Sequence, residues 1–320
     1  MRQGLGEHGH LTLPLLGLKL TTYRTLFLVS LMLELALFPV IYFLREGAEA
    51  TDEGLRITCR PPWLSQGGLW QSARVAVGGS VKESARLFGE LFGQAGVYRL
   101  LAFLILIAFL KLILMQMYYV YPKFGIRELG DGAPIGRLWG INSLLVVFLV
   151  PLVGALTQRY PAYRMVTLGS ILTAASVFIM ATPTAWFEPL ANGLLGHWLG
   201  HGYLRLHGSV HPYYVMIALF IVLFSVGEAF YSPRVYEYAA AIAPKGLEAS
   251  YSALSYVPFL LAKLLVGTFS GMLLARYCPE HGVRHSETMW LIVALTATVA
   301  PVGLIALRGY IRVQEAGREE

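Results

Sequence analysis

The chain has 320 residues, of which 56% are hydrophobic and 14% charged, with a net charge of +6 and a mean hydropathy of +0.58. So few charged side chains cannot clothe a water-soluble surface of this size, and the composition places the chain in a membrane. The positive residues flank apolar runs and do not cluster with interleaved aromatics, which points to lipid headgroups and away from nucleic acid.

In chain order, residues 1–25 read as an N-terminal tail. Arg2 is followed by an apolar patch broken by Pro14, without the small-residue cleavage site of a secretory signal. Seven apolar windows then follow, each about 18 residues or longer, the length that crosses ~30 Å of hydrocarbon at 1.5 Å per residue. Their apolar positions run continuously, as in helices, and lack the alternation of barrel strands. The first window, 26–44, carries Glu34 and Pro39. The polar stretch 45–97 reads as a cytoplasmic linker. It is Pro/Gly-rich over 60–68 and then amphipathic, with Val81, Ala85, Phe88, Phe92 and Ala95 opposite Lys82, Glu83, Arg86, Glu90 and Gln94. That pattern predicts a helix lying along the membrane surface.

The remaining windows, 98–120, 138–157, 165–182, 213–231, 251–275 and 288–307, form a six-helix bundle over 98–308, and 309–320 is a cytoplasmic tail. The expected fold is therefore all-α and polytopic, with seven transmembrane helices. Lys and Arg are more numerous in the loops on the side of the C-terminus, which puts that side in the cytoplasm. Pro39, Pro151, Pro258 and Pro301 fall within windows, where kinks are tolerated. Gly267 and Gly271 form a G-x-x-x-G that predicts close helix packing.

Ionisable groups inside such windows cost roughly 2.5–3.5 kcal/mol each on insertion scales, so each is a candidate functional residue. They are Glu34, Lys111, Glu228 and Lys263, with Asn142 and Gln116 as polar groups on the same spans. Tyr118 and Tyr119 read as cavity groups or as an interfacial belt. Three H-x-x-x-H pairs, His197 with His201, His207 with His211 and His281 with His285, fall in loops expected outside. The first two pairs are weak metal candidates, because the segment is Gly-rich and no carboxylate or Cys is near. No metal or other cofactor is expected. Cys59 and Cys278 fit neither a disulfide framework nor a metal motif.

Residues 154–164, GALTQRYPAYR, resemble the G-x-L-x-D-R-x-G-R-R run that joins adjacent helices in the major facilitator superfamily. The match is at Gly154, Leu156, Arg159 and Arg164, and Gln158 replaces the acidic residue. A second stretch, 225–264, is similar to the tenth helix and following loop of members related to the proton-dependent oligopeptide transporters, at Gly227, Glu228, Ser232, Pro233, Ala243, Pro244 and Gly246. The resemblance implies that the spans from 98 onward correspond to the seventh to twelfth helices of such a transporter, and 26–44 to its sixth, with an N-terminal half missing.

It further implies a secondary transporter, or its C-terminal half, that moves a small solute by alternating access, with proton coupling. Glu228, Lys111, Lys263, Asn142 and Gln116 would line or couple the solute site, Gly154, Gln158, Arg159 and Arg164 would form a gating loop, and Ser232, Pro233, Arg234 and Glu237 would form a cytoplasmic turn after the tenth-like helix. The implied partners are the bilayer, the solute, the proton and the missing half, in a plasma or inner membrane. The alternatives are a non-transporting scaffold or sensor derived from a transporter, which Gln158 favours, and an intramembrane enzyme. The chain has no G-x-S-G, H-E-x-x-H or D-x-x-D at a span end, so an enzyme is not expected.

Overall fold

The computed structural model describes residues 11–13, 18–20, 22–43, 48–51, 54–57, 89, 92–244 and 248–312, and divides into two units, Met1–Ala85 and Arg86–Glu320. In the first, β1 (Leu11–Leu13) pairs antiparallel with β2 (Leu18–Leu20), helix α1 spans Thr22–Phe43, and β3 (Ala48–Thr51) pairs antiparallel with β4 (Gly54–Ile57). The helix stands where the first span is expected, and the Glu34 side chain on it is exposed. The two hairpins were not anticipated. Of the expected amphipathic linker helix, only Gly89 and 92–95 are described, and the rest lies outside the described residues.

Every regular element described in the second unit is a helix. Six helices in it are long and apolar enough to cross a membrane, so the chain is an integral multi-pass membrane protein. They are α2 (Ala95–Tyr119), α4 (Ile135–Leu156), α5 (Ala162–Met180), α8 (Pro212–Ala241), α10 (Val257–Tyr277, preceded by the short α9, Glu248–Leu254) and α11 (Ser286–Ala306). Each expected window falls on one of them. Pro258 lies within the Ser250–Tyr277 span, as expected, and there it occupies the first turn of α10 after the turn at 255–256, a position that suits proline.

The helices pack as an arc. α4 lies along α8, α8 along α5, α5 along α11, α11 along α2, and α2 along α10. Numbering the six spans in chain order, the arc reads 2-4-3-6-1-5. Exchanging the first three spans for the last three returns the same order read backwards. Helices that exchange are three crossings apart and run in opposite directions, so the bundle has the connectivity of an inverted repeat of two three-helix units.

Alternate crossings define two faces. One holds the Thr157–Pro161 turn, the end of α8 and α12 (Arg308–Ile311). The other holds α3 (Tyr121–Leu129), the 181–211 loop with α6 (Glu188–Asn192) and α7 (Leu194–His197), and the 278–285 loop. Exposed aromatics ring both: Tyr160, Tyr236, Tyr256 and Tyr310 at the first, Tyr118, Tyr119, Trp186, Trp198 and Tyr203 at the second, as interfacial belts do. The second face is braced by Arg127, which donates to the carbonyls of Leu274 and Cys278 and to Glu280 Oε1 at 2.9 Å. The Ser286 hydroxyl donates to Glu128.

The tightest seam is between α5 and α8. A Cβ at Gly169 would lie 2.7 Å from the Gly227 carbonyl oxygen, and one at Gly227 would lie 2.2 Å from Thr173 Oγ1. Gly267 and Gly271 behave otherwise: nothing lies within 4 Å of a Cβ at either. The expectation that they pack a helix is therefore corrected within this unit, because α10 ends the arc and turns them outward. Gly227→Val should lower the detergent-solubilised protein's stability by about 1–3 kcal/mol through overpacking, read as a lower thermal midpoint, while Gly267→Val should leave that midpoint in place.

Candidate functional site

The buried apolar side chains form two large clusters, one toward each face. On α2 the cluster near the turn face ends at Leu110 and the other begins at Ile113; on α8 the division falls between Phe224 and Tyr231, and on α5 between Val166 and Ala174. The gap between them is filled by polar and small residues: Lys111 on α2, Ser225, Gly227 and Glu228 on α8, Gly169, Ser170 and Thr173 on α5, and Asn142 facing them from α4. A polar layer thus crosses the middle of the bundle.

Its geometry is specific. Asn142 Nδ2 donates to Ser225 Oγ at 3.0 Å and to Glu228 Oε2 at 3.2 Å, and the Ser225 hydroxyl donates to its own helix at the Ile221 carbonyl, 2.7 Å away. Asn142 is buried although most of α4 is not, so its amide fastens α4 to α8 at this level. Lys111 Nζ stands 5.1 Å from the centroid of the Tyr231 ring, a cation–π arrangement, and lies within electrostatic reach of Glu228. Lys111 and Glu228 form no close ion pair. The Tyr231 hydroxyl and Thr173 Oγ1 are buried in the same layer without a hydrogen bond. A carboxyl, an amine, an amide donor and two unengaged hydroxyls therefore converge where hydrocarbon would leave an ion unsolvated.

Lys111 and Glu228 are each the seventeenth residue of their helix, counted from Ala95 and from Pro212. Since α2 and α8 exchange in the inverted repeat, the two ions occupy equivalent positions of its two units. Side chains lean toward their own helix N-terminus, and α2 and α8 are antiparallel, so Lys111 and Glu228 lean toward one another along the membrane normal.

Of the sequence-predicted residues, Glu228, Lys111 and Asn142 are thus brought together. Gln116 is buried elsewhere: its Oε1 accepts from Ser270 Oγ at 2.7 Å, joining α2 to α10. Lys263 is exposed on α10 with its ammonium 4.6 Å from the Phe259 ring of its own helix, and the structure does not bring it to the layer.

The expected turn at Ser232, Pro233, Arg234 and Glu237 is helix. α8 continues through Pro233 to Ala241, so the assignment as a loop is corrected. The reason lies in Arg234, which is 3% exposed. It pairs with Glu237 Oε2 at 2.6 Å one turn on and donates to Thr157 Oγ1 at 2.9 Å and the Gly154 carbonyl at 3.4 Å. The gating-loop residues therefore separate. Gly154, in the last turn of α4, is held by Arg234. Gln158 and Arg159 are exposed in the turn, and Arg164 lies on α5.

Ser225, Thr157, Gly169, Thr173 and Tyr231 are site residues that the sequence reading did not single out. Ser225 sits one turn from Glu228, and Gly169 and Thr173 stand at small-x-x-x-small spacing. Those are the only local signals they carry.

On the opposite face, the His197 and His201 rings lie 4.9 Å apart, and His201 Nδ1 is 3.0 Å from the Leu206 carbonyl. They offer two ligands, and no group of three His, Cys, Asp or Glu gathers among the described residues. His207 is exposed. His211 caps α8, its Nδ1 accepting from the Tyr213 backbone N–H at 3.2 Å. Partial burial pulls the His211 imidazole below its ordinary value, with Glu128 opposing the shift.

No protein-family model, curated protein or solved structure matches the chain.

Two predictions follow from these contacts. Arg234→Lys keeps the charge but loses the fork that serves Glu237, Thr157 and Gly154 together, and should lower stability by about 1–3 kcal/mol in a denaturation midpoint. His211 is depressed in the folded state, so its contribution is full above the unfolded value of about 6.5 and is lost as pH falls through the folded value. The thermal midpoint of the wild type should therefore drop more steeply below about pH 6.5 than that of His211→Asn, which keeps a cap acceptor and does not titrate.

Proposed function

We propose that the chain is a secondary transporter, or the C-terminal half of one, which moves a small polar solute by alternating access with Glu228 as the proton-coupling group. One observation carries the reading: Lys111 and Glu228 stand at equivalent positions of an inverted repeat, within a polar layer midway through the spans. Inverted three-helix repeats with binding at the midplane are the architecture in which two packings of a bundle can exchange across a fixed site. The resemblance of 154–164 and 225–264 to the major facilitator superfamily supports the same reading, as does the open arc, whose end helices α4 and α10 leave apolar faces for a second half.

In this mechanism Glu228 alternates between charged and neutral. Its charged form is held by the Asn142 amide and the Lys111 ammonium, and its neutral form keeps the Asn142 hydrogen bond, since an amide N–H serves either state. A solute carboxylate or phosphate arriving beside Lys111 takes that ammonium as its partner, and Glu228 is left to pair with a proton, so solute and proton enter together. Arg234, closing on the Gly154 carbonyl and Thr157, ties α4 to α8 at the turn face and is the contact that opening on that side must break.

The test is uptake into proteoliposomes under an imposed inward proton gradient, with a panel of dipeptides, organic anions and sugar phosphates. At least one class should accumulate with the wild type, and Glu228→Gln should cut its gradient-driven accumulation at least tenfold while leaving solute exchange at equal pH. Equal gradient-driven uptake by both proteins would remove Glu228 from coupling, and no uptake of any class would favour the scaffold alternative.

A further inference from the structure

A cleft of about 350 Å³ opens at the turn face between the start of α5 and the end of α11. Its mouth carries Arg164, Arg308 and Arg312, and its inner wall Leu168, Ile171 and Ile305. Arg164 is near the start of α5 and Ile171 is seven residues further, so the cleft runs from basic to apolar over ~10 Å along the membrane normal. The three apolar residues are exposed, at 41%, 42% and 58% for Leu168, Ile171 and Ile305. None of the three guanidiniums has a hydrogen bond or ion pair with a described residue. At its floor the Tyr163 hydroxyl donates to the Leu304 carbonyl and ties α5 to α11.

Three arginines without an ion pair among the described residues, gathered at one interfacial site, repel one another, and each presents planar donors suited to phosphate oxygens. The wider face favours an anion too. Among the described residues its cations Arg99, Arg159, Arg164, Arg234, Arg308 and Arg312 are set against Glu237 and Glu248, whereas on the other face Lys123, Arg127, Arg137, Arg205, Arg276 and Arg284 are matched by Glu128, Asp131, Glu188, Glu280 and Glu287. An anion alone would fill the mouth and leave the apolar wall unused. A ligand that is anionic at one end and hydrocarbon at the other satisfies both.

We propose that this cleft is a binding site for one anionic phospholipid of the adjacent leaflet, its phosphate held by Arg164, Arg308 and Arg312 and the first methylenes of an acyl chain laid against Leu168, Ile171 and Ile305. Headgroup and tail together clamp the ends of α5 and α11, which belong to different units of the inverted repeat.

The test is native mass spectrometry of the full chain in a neutral maltoside detergent, titrated with dioleoyl phosphatidylglycerol, dioleoyl phosphatidylcholine or soluble glycerol 3-phosphate. The wild type should retain one phosphatidylglycerol with at least tenfold preference over phosphatidylcholine, and should not retain glycerol 3-phosphate. The triple variant Arg164→Gln/Arg308→Gln/Arg312→Gln should lose the preference, and Arg276→Gln/Arg284→Gln, on the opposite face, should keep it. Ile305→Trp, which fills the wall without touching charge and sits at an exposed position, should weaken retention at least threefold. The proposal is overturned if the triple variant or Ile305→Trp retains phosphatidylglycerol as the wild type does. Retention of glycerol 3-phosphate as strong as that of the lipid would identify a free-anion site and overturn it equally.

Discussion

Hydrocarbon offers no water to an ion, so the ammonium of Lys111 and the carboxylate of Glu228 must find their solvation inside the protein, and the bundle is arranged around that requirement. The Asn142 amide reaches across from α4 to the carboxylate. The Tyr231 ring offers its face to the ammonium. The apolar core divides above and below this level on α2, α5 and α8, and small or hydroxylated residues, Gly169, Ser170, Thr173, Ser225 and Gly227, are buried in the division. Close approach of α5 and α8 through Gly169 and Gly227 is what lets a narrow polar layer exist without a large void around it.

The same constraint explains which other polar groups are tolerated at depth. Arg234 is almost fully buried, yet three acceptors meet its guanidinium, so its desolvation is offset by charge-assisted bonds. Gln116 and Ser270 satisfy each other between α2 and α10. Lys263 solves the problem differently, by remaining exposed and stacking on Phe259. A deep charge in the sequence is therefore not one kind of residue: two here converge on a shared layer and one stays at the periphery.

The spans were legible in the amino-acid order because bilayer thickness imposes a length that little else in a protein demands, and all six bundle helices stand where the apolar runs fall. Their ends were less legible. Pro233 read as the close of a helix, yet α8 continues beyond it, since the Arg234 contacts with α4 hold that segment helical and no local pattern reports an interaction across some eighty residues. Glu228, Lys111 and Asn142 were visible as costly residues, but their convergence was not, because it depends on the order of helices across the arc. The outward turn of Gly267 and Gly271 was hidden for the same reason: a small-residue motif marks a surface that can be approached closely, and only the fold says whether anything approaches it.

The inverted order of the arc places Lys111 and Glu228 at matching positions of two antiparallel helices, and the account rests on these two charges sensing each other across the bundle. A double-mutant cycle in a denaturation assay measures that directly, with Lys111→Gln, Glu228→Gln and the pair together. Coupling predicts that each single change destabilises by leaving the other ion uncompensated, and that the double variant recovers roughly 0.5–3 kcal/mol relative to the sum of the two. Strict additivity would mean that the two residues face different surroundings, and would contradict the polar layer as a single electrostatic unit.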